Sequence, residues 1–314
     1  MKCRKCEQKA VVNMRQHKLA LCGEHYTEWI PEQTQRFIDK YDMFSPEDRI
    51  LVAVSGGKDS LALWEVLTLL GYRADGLYIG LGIDGGIGYS NQSLGCCVMF
   101  AEERGLNLKV FDVASRLGAP IPAAAQRVRR GQGRPCSVCG LSRRHIMNSE
   151  ALDGGYDVLA TGHNLDDEAA TLFGNTLHWS VEHLSRQGPV LPAKDGLVRK
   201  AKPFCRLYER ETAAYALLRG IKYVYDECPH AEGAKSIYYK QTLNKMEDER
   251  PGTKLQFYLS FLAAKQEGAF APPPDLDSVR LHPCPSCGQP TSAPGSCAFC
   301  RTWEQVRDRA PQAG

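Results

Sequence analysis

The sequence predicts an α/β fold built on a parallel, doubly wound sheet, and three observations carry that expectation. Apolar runs suited to buried strands occur at Ile50 to Ser55, Ala74 to Gly80, Leu106 to Val113 and Asp157 to Thr161. Helical patterns separate them, at Ser60 to Gly71, Gln92 to Arg104 and Gly140 to Gly154, and that alternation argues βαβ units. The third observation is a glycine-containing turn set where the first strand ends, Ser55-Gly56-Gly57-Lys58-Asp59-Ser60.

The first strand, Ile50 to Val54, is short, rich in β-branched residues and nearly continuous in apolar side chains, as suits a strand covered on both faces. It runs straight into the turn, where Gly56 and Gly57 let the backbone bend and approach an anion without a Cβ in the way. The next helix aims its unpaired N–H groups and positive dipole end at the same spot. The turn therefore reads as a nucleotide phosphate site. Neither the Walker order nor the dinucleotide order of glycines is present. The hexapeptide instead resembles the PP-loop of the N-type ATP pyrophosphatases, which split ATP into AMP and pyrophosphate while adenylating a substrate.

Ligands in doubly wound folds bind outside the carboxyl ends of the strands, and Ser55, Ile79, Gly80 and Gly162 all fall there. The fourth strand delivers Gly162-His163-Asn164-Leu165-Asp166-Asp167-Glu168, ahead of a helix expected over Glu168 to Leu177. Gly162 would allow close backbone approach to a nucleotide. Helix capping accounts for at least one of the carboxylates. Asp59 and Asp167 would supply carboxylates for Mg2+ from two loops of one crevice. His163 reads as a hydrogen-bonded structural residue.

Thirteen cysteines form the second constraint. The chain opens Met1-Lys2-Cys3 with no signal peptide, and no apolar run approaches the roughly 20 residues of a membrane span. A cytosolic protein without a membrane partner is expected, in which closely spaced cysteines are metal ligands rather than disulfides. Cys3, Cys6, Cys22 and His25 bracket a short apolar hairpin, as the two knuckles of a structural zinc site do. Cys284, Cys287, Cys297 and Cys300 form a second set, in a Pro- and Gly-rich segment too small to fold on burial alone. The expected organisation is a zinc module over 1–30, a catalytic domain over 45–268, a Pro-rich linker over 269–281 and a zinc ribbon over 282–303. The catalytic domain ends in helices at Glu209 to Arg219, Ser236 to Glu249 and Lys254 to Gln266.

The middle set differs. Cys136 and Cys139 sit just before an expected helix with no second pair nearby, and Cys228 in Glu227-Cys228-Pro229 is the one distant candidate. Three thiolates are too few for a closed zinc site but suit an iron–sulfur cluster with one open iron. Spacing alone supports a redox or persulfide pair equally. Cys96 and Cys97, about 100° apart on a helix, and the isolated Cys205 read as packing residues.

A formal net charge of +3 is weak evidence for an RNA partner. Local clusters are better candidates for phosphate contact: Arg127, Arg129, Arg130 and Arg134, then Lys194, Arg199, Lys200, Lys202, Arg206 and Arg210. A solvated basic face explains each cluster equally well. Leu117 to Pro135, rich in Gly, Pro, Ala and Arg, reads as a mobile loop.

Taken together, the two zinc motifs, Ser55 to Ser60, Pro135-Cys-Ser-Val-Cys-Gly140, Gly162 to Glu168 and Glu227-Cys228-Pro229 resemble the tRNA 2-thiouridine synthetases of the TtcA/TtuA superfamily. The resemblance runs from Cys3 to about Trp303 and is greatest to the branch acting on ribothymidine of the tRNA T loop. It implies ATP with its phosphates on Ser55, Gly56, Gly57, Lys58, Asp59 and Ser60 and its base near Ala53, Ile79 and Gly162. It implies a [4Fe-4S] cluster on Cys136, Cys139 and Cys228, two Zn2+ ions, a ubiquitin-like thiocarboxylate sulfur carrier, and a homodimer. Lys58, Asp59 and Asp167 would act in adenylation with Mg2+. Arg143 departs from the family's usual Lys; it can grip phosphate but cannot donate a proton near neutral pH. Two alternatives fit the same residues: a wobble-uridine thiolase, and a non-catalytic zinc scaffold that binds RNA.

Overall fold

The computed structural model describes residues 1–129, 135–231, 233–271 and 281–309. A hairpin of β1 (Val12–Met14) and β2 (Leu19–Leu21) leads into α1 (Gly23–Lys40). Tyr26, Ile30, Phe37 and Ile38 on α1 are buried in the main core. The central sheet then forms from β3 (Arg49–Val54), β4 (Arg73–Gly80), β5 (Leu108–Asp112), β6 (Val158–Thr161), β7 (Val190–Leu191) and β8 (Arg199–Ala201). Its strand order is β5-β4-β3-β6-β8-β7, parallel throughout except for β7.

β3 lies inside, and Ile50, Leu51 and Val52 are fully buried. Alternate residues face opposite layers. Ile50, Val52 and Val54 join the core that includes α1, α2 (Lys58–Leu69), α3 (Tyr89–Arg104) and α9 (Glu209–Leu218). Leu51 and Ala53 join the core of α4 (Val113–Leu117), α5 (Ile121–Arg127) and α6 (Pro135–Asp153). A third small cluster packs α7 (Leu165–Leu177) against α10 (Lys235–Glu249), with Phe257 of α11 (Thr253–Gln266) at its side. The short α8 (Val181–Arg186) follows α7.

After β9 (His282–Pro283) and β10 (Pro290–Thr291), α12 (Ala298–Asp308) packs on α5 and α6. Trp303 is buried there, and its indole N–H donates to Ser142 Oγ at 3.1 Å. Among the described residues no helix is long and apolar enough to cross a membrane.

Several elements differ from the sequence expectation. α6 begins at Pro135, so Cys136 and Cys139 lie in its first turns rather than before it; proline suits a first helical position, where its missing N–H is not needed. The segment expected to be a mobile loop over 117–135 contains α5, anchored by buried Ile121, Ala124 and Ala125. Arg130 and Arg134 lie outside the described residues, as do residues 272–280 of the expected linker. α7 starts at Leu165, because Asn164 and not a carboxylate is its N-cap. β7 and β8 were not expected; two- and three-residue strands show no alternation to detect.

Candidate active site

From β3 the chain crosses to β4 and β5 on one side, whereas β6 and β8 lie on the other. The crevice between the carboxyl ends of β3 and β6 is thus the topological switch point of the sheet, the ligand position of such folds. The Ser55–Ser60 turn occupies it. Gly56 has φ +77°, and a Cβ there would lie 2.5 Å from Ser93 O, so both backbone and space demand glycine. Gly57 is different: its φ is −85° and its closest neighbour would be Ser55 Oγ at 3.4 Å. Ser60 Oγ accepts from Ser55 N–H at 3.1 Å and donates to Gly57 O at 3.0 Å, which fixes the turn.

A Cβ on Gly162 would lie 2.8 Å from Asp59 C and Ser60 N. Its missing side chain therefore serves the approach of β6 to the turn itself. Ala53 and Ile79 are half-buried beside the core that holds α6.

Around the turn, five charged groups form a chain closed by one amide. Lys58 Nζ bonds Asp59 Oδ2 at 3.0 Å and Glu209 Oε1 at 2.8 Å. Lys240 Nζ, from α10, bonds Glu209 Oε2 at 3.2 Å and Asp167 Oδ1 at 2.7 Å. Asn164 completes the ring, its side-chain amide donating to Asp59 Oδ1 at 3.2 Å and its backbone N–H to Asp167 Oδ2 at 3.1 Å. Thr212 Oγ1 also donates to Asp59 Oδ1.

Asp59, Asp167 and Glu209 each lie in the first turn of α2, α7 and α9 respectively. Three helix N-termini thus converge, a setting that favours anions. Burial opposes the Lys58 ammonium, but the carboxylates of Asp59 and Glu209 outweigh it and raise its pKa. Lys240 is raised likewise, burial being overcome by Asp167 and Glu209. Burial raises the Asp59 pKa, with Lys58 and Thr212 opposing. For Glu209 burial loses to Lys240 and Lys58, and its pKa falls. Sequence reasoning missed Glu209, Lys240, Asn164 and Thr212 as site residues. The two carboxylates proposed for Mg2+, Asp59 and Asp167, do share one crevice, joined by Asn164.

Cys136 and Cys139 are one helical turn apart on α6, and Cys136 Sγ reaches His230 O, two residues past Cys228, at 3.3 Å. Burial raises the Cys139 pKa; Arg143 opposes, and nearby Cys228 and Cys136 add to the rise. The three sulfurs thus gather where α6 meets the loop before α10. The same loop touches the turn, since Val224 N–H donates to Gly56 O at 2.9 Å. Arg143 is exposed on α6.

Donor atoms of Cys3, Cys6, Cys22 and His25 lie within 4.8 Å of one another, and His25 Nδ1 is 3.2 Å from Cys22 Sγ and 3.6 Å from Cys3 Sγ. This set fits a tetrahedral zinc ion. In the second set Cys284 Sγ is 3.9 Å from Cys300 Sγ, and Cys287 Sγ is 3.8 Å from Cys297 Sγ. Here the donors that lie within 4.8 Å of one another are Cys287, Cys297, Cys300 and His145 of α6, so His145, which sequence reasoning missed, stands in that group where Cys284 was expected. Burial lowers the His145 pKa to about 4, which keeps the ring neutral.

Much of the second basic cluster has structural work. Lys202 pairs with Glu168 at 2.7 Å, Arg206 lies over Phe37 at 5.0 Å, Arg210 over Tyr208 at 5.1 Å, and Arg199 donates to Met43 O at 3.2 Å. Cys205 and Cys97 are fully buried, as packing residues.

Residues 2–27 match the family model described as "2-thiouridine synthetase TtuA, N-terminal LIM domain". The chain is 52% identical over 314 residues to the tRNA-5-methyluridine(54) 2-sulfurtransferase of Thermus thermophilus, covering 99% of this chain and 93% of that one. It is 41% identical over 303 residues to the protein of the same name from Pyrococcus horikoshii, covering 96% and 94%. Among solved structures, the U34-tRNA thiolase NcsA from Methanococcus maripaludis with its [4Fe-4S] cluster shares the fold, with TM-score 0.78 at 22% identity over 99% of this chain and 97% of that one.

Proposed function

Since the chain belongs to the tRNA-5-methyluridine(54) 2-sulfurtransferases, we propose that it replaces the C2 oxygen of the T-loop ribothymidine with sulfur, consuming ATP. The observation that carries this is the junction at the switch point, where the loop bearing Cys228 hydrogen-bonds the phosphate turn through Val224 and Gly56. ATP cleavage and sulfur delivery then share one crevice.

The triphosphate would lie on the backbone N–H groups of Ser55 to Ser60 at the N-terminus of α2, with Lys58 offsetting its charge. The base would sit toward Ala53, Ile79 and Gly162. Asp59 and Asp167 would hold Mg2+, a hard cation suited to carboxylate oxygens. The C2 oxygen of the uracil ring attacks the α-phosphorus, the bond to the bridging oxygen breaks, and pyrophosphate leaves. Sulfur at the sulfide level then adds at C2, freed as the C–S bond of the donor's thiocarboxylate breaks and its acyl carbon passes to water as a carboxylate, and AMP departs with the original oxygen. Converging helix ends and cations act where charge develops in the first step, with no reorganisation required.

Cys136, Cys139 and Cys228 would hold the cluster, which when bound supplies an iron with an open position for sulfur. Arg143 is a fixed cation on the same helix for a phosphate of AMP or RNA. The sulfur donor fits a carrier protein ending in a thiocarboxylate. The two metal modules brace this site, one through Tyr26, whose hydroxyl donates to Glu211 O at 2.9 Å, the other through Trp303 of α12, which donates to Ser142 of α6. The T-loop nucleoside is favoured over the wobble base because relatives at 52% and 41% identity carry the position-54 name.

The test is tRNA-dependent release of AMP and pyrophosphate by the anaerobically loaded chain, with nucleoside mass spectrometry of the product. Both products together with 2-thio-ribothymidine are expected. A zinc scaffold without catalysis would release neither.

A further inference from the structure

We infer that Lys240 is a second triphosphate-binding cation, brought from α10 to the phosphate turn by Glu209; the inference rests on the assignment of this crevice to ATP. Glu209 is bound by Lys58 through one carboxylate oxygen, at 2.8 Å, and by Lys240 through the other, at 3.2 Å. The two ammonium groups therefore flank a single carboxylate at the mouth of three helix N-termini. An ammonium has three donors. Lys58 uses two on Asp59 and Glu209, and Lys240 uses two on Asp167 and Glu209, which leaves each one further donor for a ligand between them.

Charge supports the same ligand. Three carboxylates meet two ammonium groups in the ring, so one negative charge is in excess, and a divalent cation on Asp59 and Asp167 would reverse it. Both lysines would then be partly released from those two carboxylates, with Glu209 still holding them side by side. A polyphosphate spanning two cations fits this arrangement better than a monophosphate does. Glu209 is a positioning residue: it touches both lysines and orients them.

The decisive measurement is calorimetric binding of ATP, pyrophosphate and AMP to the full chain with Mg2+, comparing wild type with Lys240→Gln and Lys240→Arg. Loss of one charge-assisted contact should weaken ATP and pyrophosphate by about tenfold, with AMP nearly unchanged and Lys240→Arg largely restoring affinity. Equal binding of ATP by Lys240→Gln and wild type, or an equal loss for ATP and AMP, would overturn the inference. Failure of the wild type to bind ATP would instead remove the nucleotide assignment itself. Because Lys240→Gln can disturb α10, amine acylation of the wild type gives a second readout: ATP and pyrophosphate should protect Lys240 and Lys58, and AMP should not. Protection of Lys58 alone would refute a role for Lys240.

Discussion

Asn164 donates its side-chain amide to Asp59 Oδ1 at 3.2 Å, while its own Oδ1 caps α7 by accepting from Asp166 and Asp167 N–H. One residue thus ends a helix and ties two loops of the crevice together. Asn164→Ser keeps the capping oxygen and loses the amide donor. Stability should change by less than about 1 kcal/mol, while ATP-dependent AMP release falls about tenfold with the loss of one charge-assisted bond to Asp59. Asn164→Asp also keeps the cap but sets a carboxylate against Asp59, and should lower both melting temperature and activity. Wild-type AMP release by the serine variant would reduce Asn164 to a cap.

The two glycines of the turn should separate cleanly. Gly56→Ala forces a Cβ to 2.5 Å from Ser93 O at φ +77°, and should cost at least about 1–3 kcal/mol in urea denaturation. Gly57→Ala meets only ordinary contact and should melt within a few degrees of wild type. Any loss of ATP binding in Gly57→Ala would then report on the approach of phosphate to the backbone.

Lys58 and Lys240 both have pKa values raised above 10.5 in the folded chain. A raised lysine pKa contributes stability that is fully present below the unfolded value and is lost as pH rises through the folded one. The stability difference between wild type and Lys240→Gln should therefore be the same at pH 7 and about pH 9. A difference that grows in favour of wild type over that interval would show that Lys240 is depressed rather than raised. Chemical denaturation at the two pH values decides it.

Trp303 links the carboxy-terminal module to the helix that carries Cys136 and Cys139, and it is almost wholly buried. Trp303→Ala should lose about 3–5 kcal/mol, and iron bound after anaerobic loading should fall with it. Trp303→Phe keeps most of the packing and removes only the bond to Ser142, a loss of about 1 kcal/mol. Full iron content in the alanine variant would separate the module from the cluster helix.

The sheet core was legible because β3 is buried on both faces and its apolar run cannot be amphipathic. The turn over Ser55–Ser60 was legible because Gly56 and Ser60 are required by local geometry. Glu209 and Lys240 were not legible: each is an ordinary surface-type residue on a helix, separated by long stretches of chain from Lys58, and only the packing of α9 and α10 brings them together. His145 was hidden for the same reason, since its partners lie across the molecule on the carboxy-terminal module. Several cationic residues expected to face solvent or RNA proved to be engaged, as Lys202 is with Glu168, because a sequence shows charge without showing the carboxylate opposite.

The most direct test of a shared crevice compares wild type, Asp167→Asn and Cys228→Ala, each loaded anaerobically and given ATP, Mg2+, sulfur donor and unmodified tRNA. Nucleoside mass spectrometry and AMP analysis are read together. Asp167→Asn should form neither adenylated RNA nor 2-thio-ribothymidine, whereas Cys228→Ala should accumulate adenylated RNA and make no 2-thio product. Thiolation by Cys228→Ala at the wild-type rate would contradict the joint site.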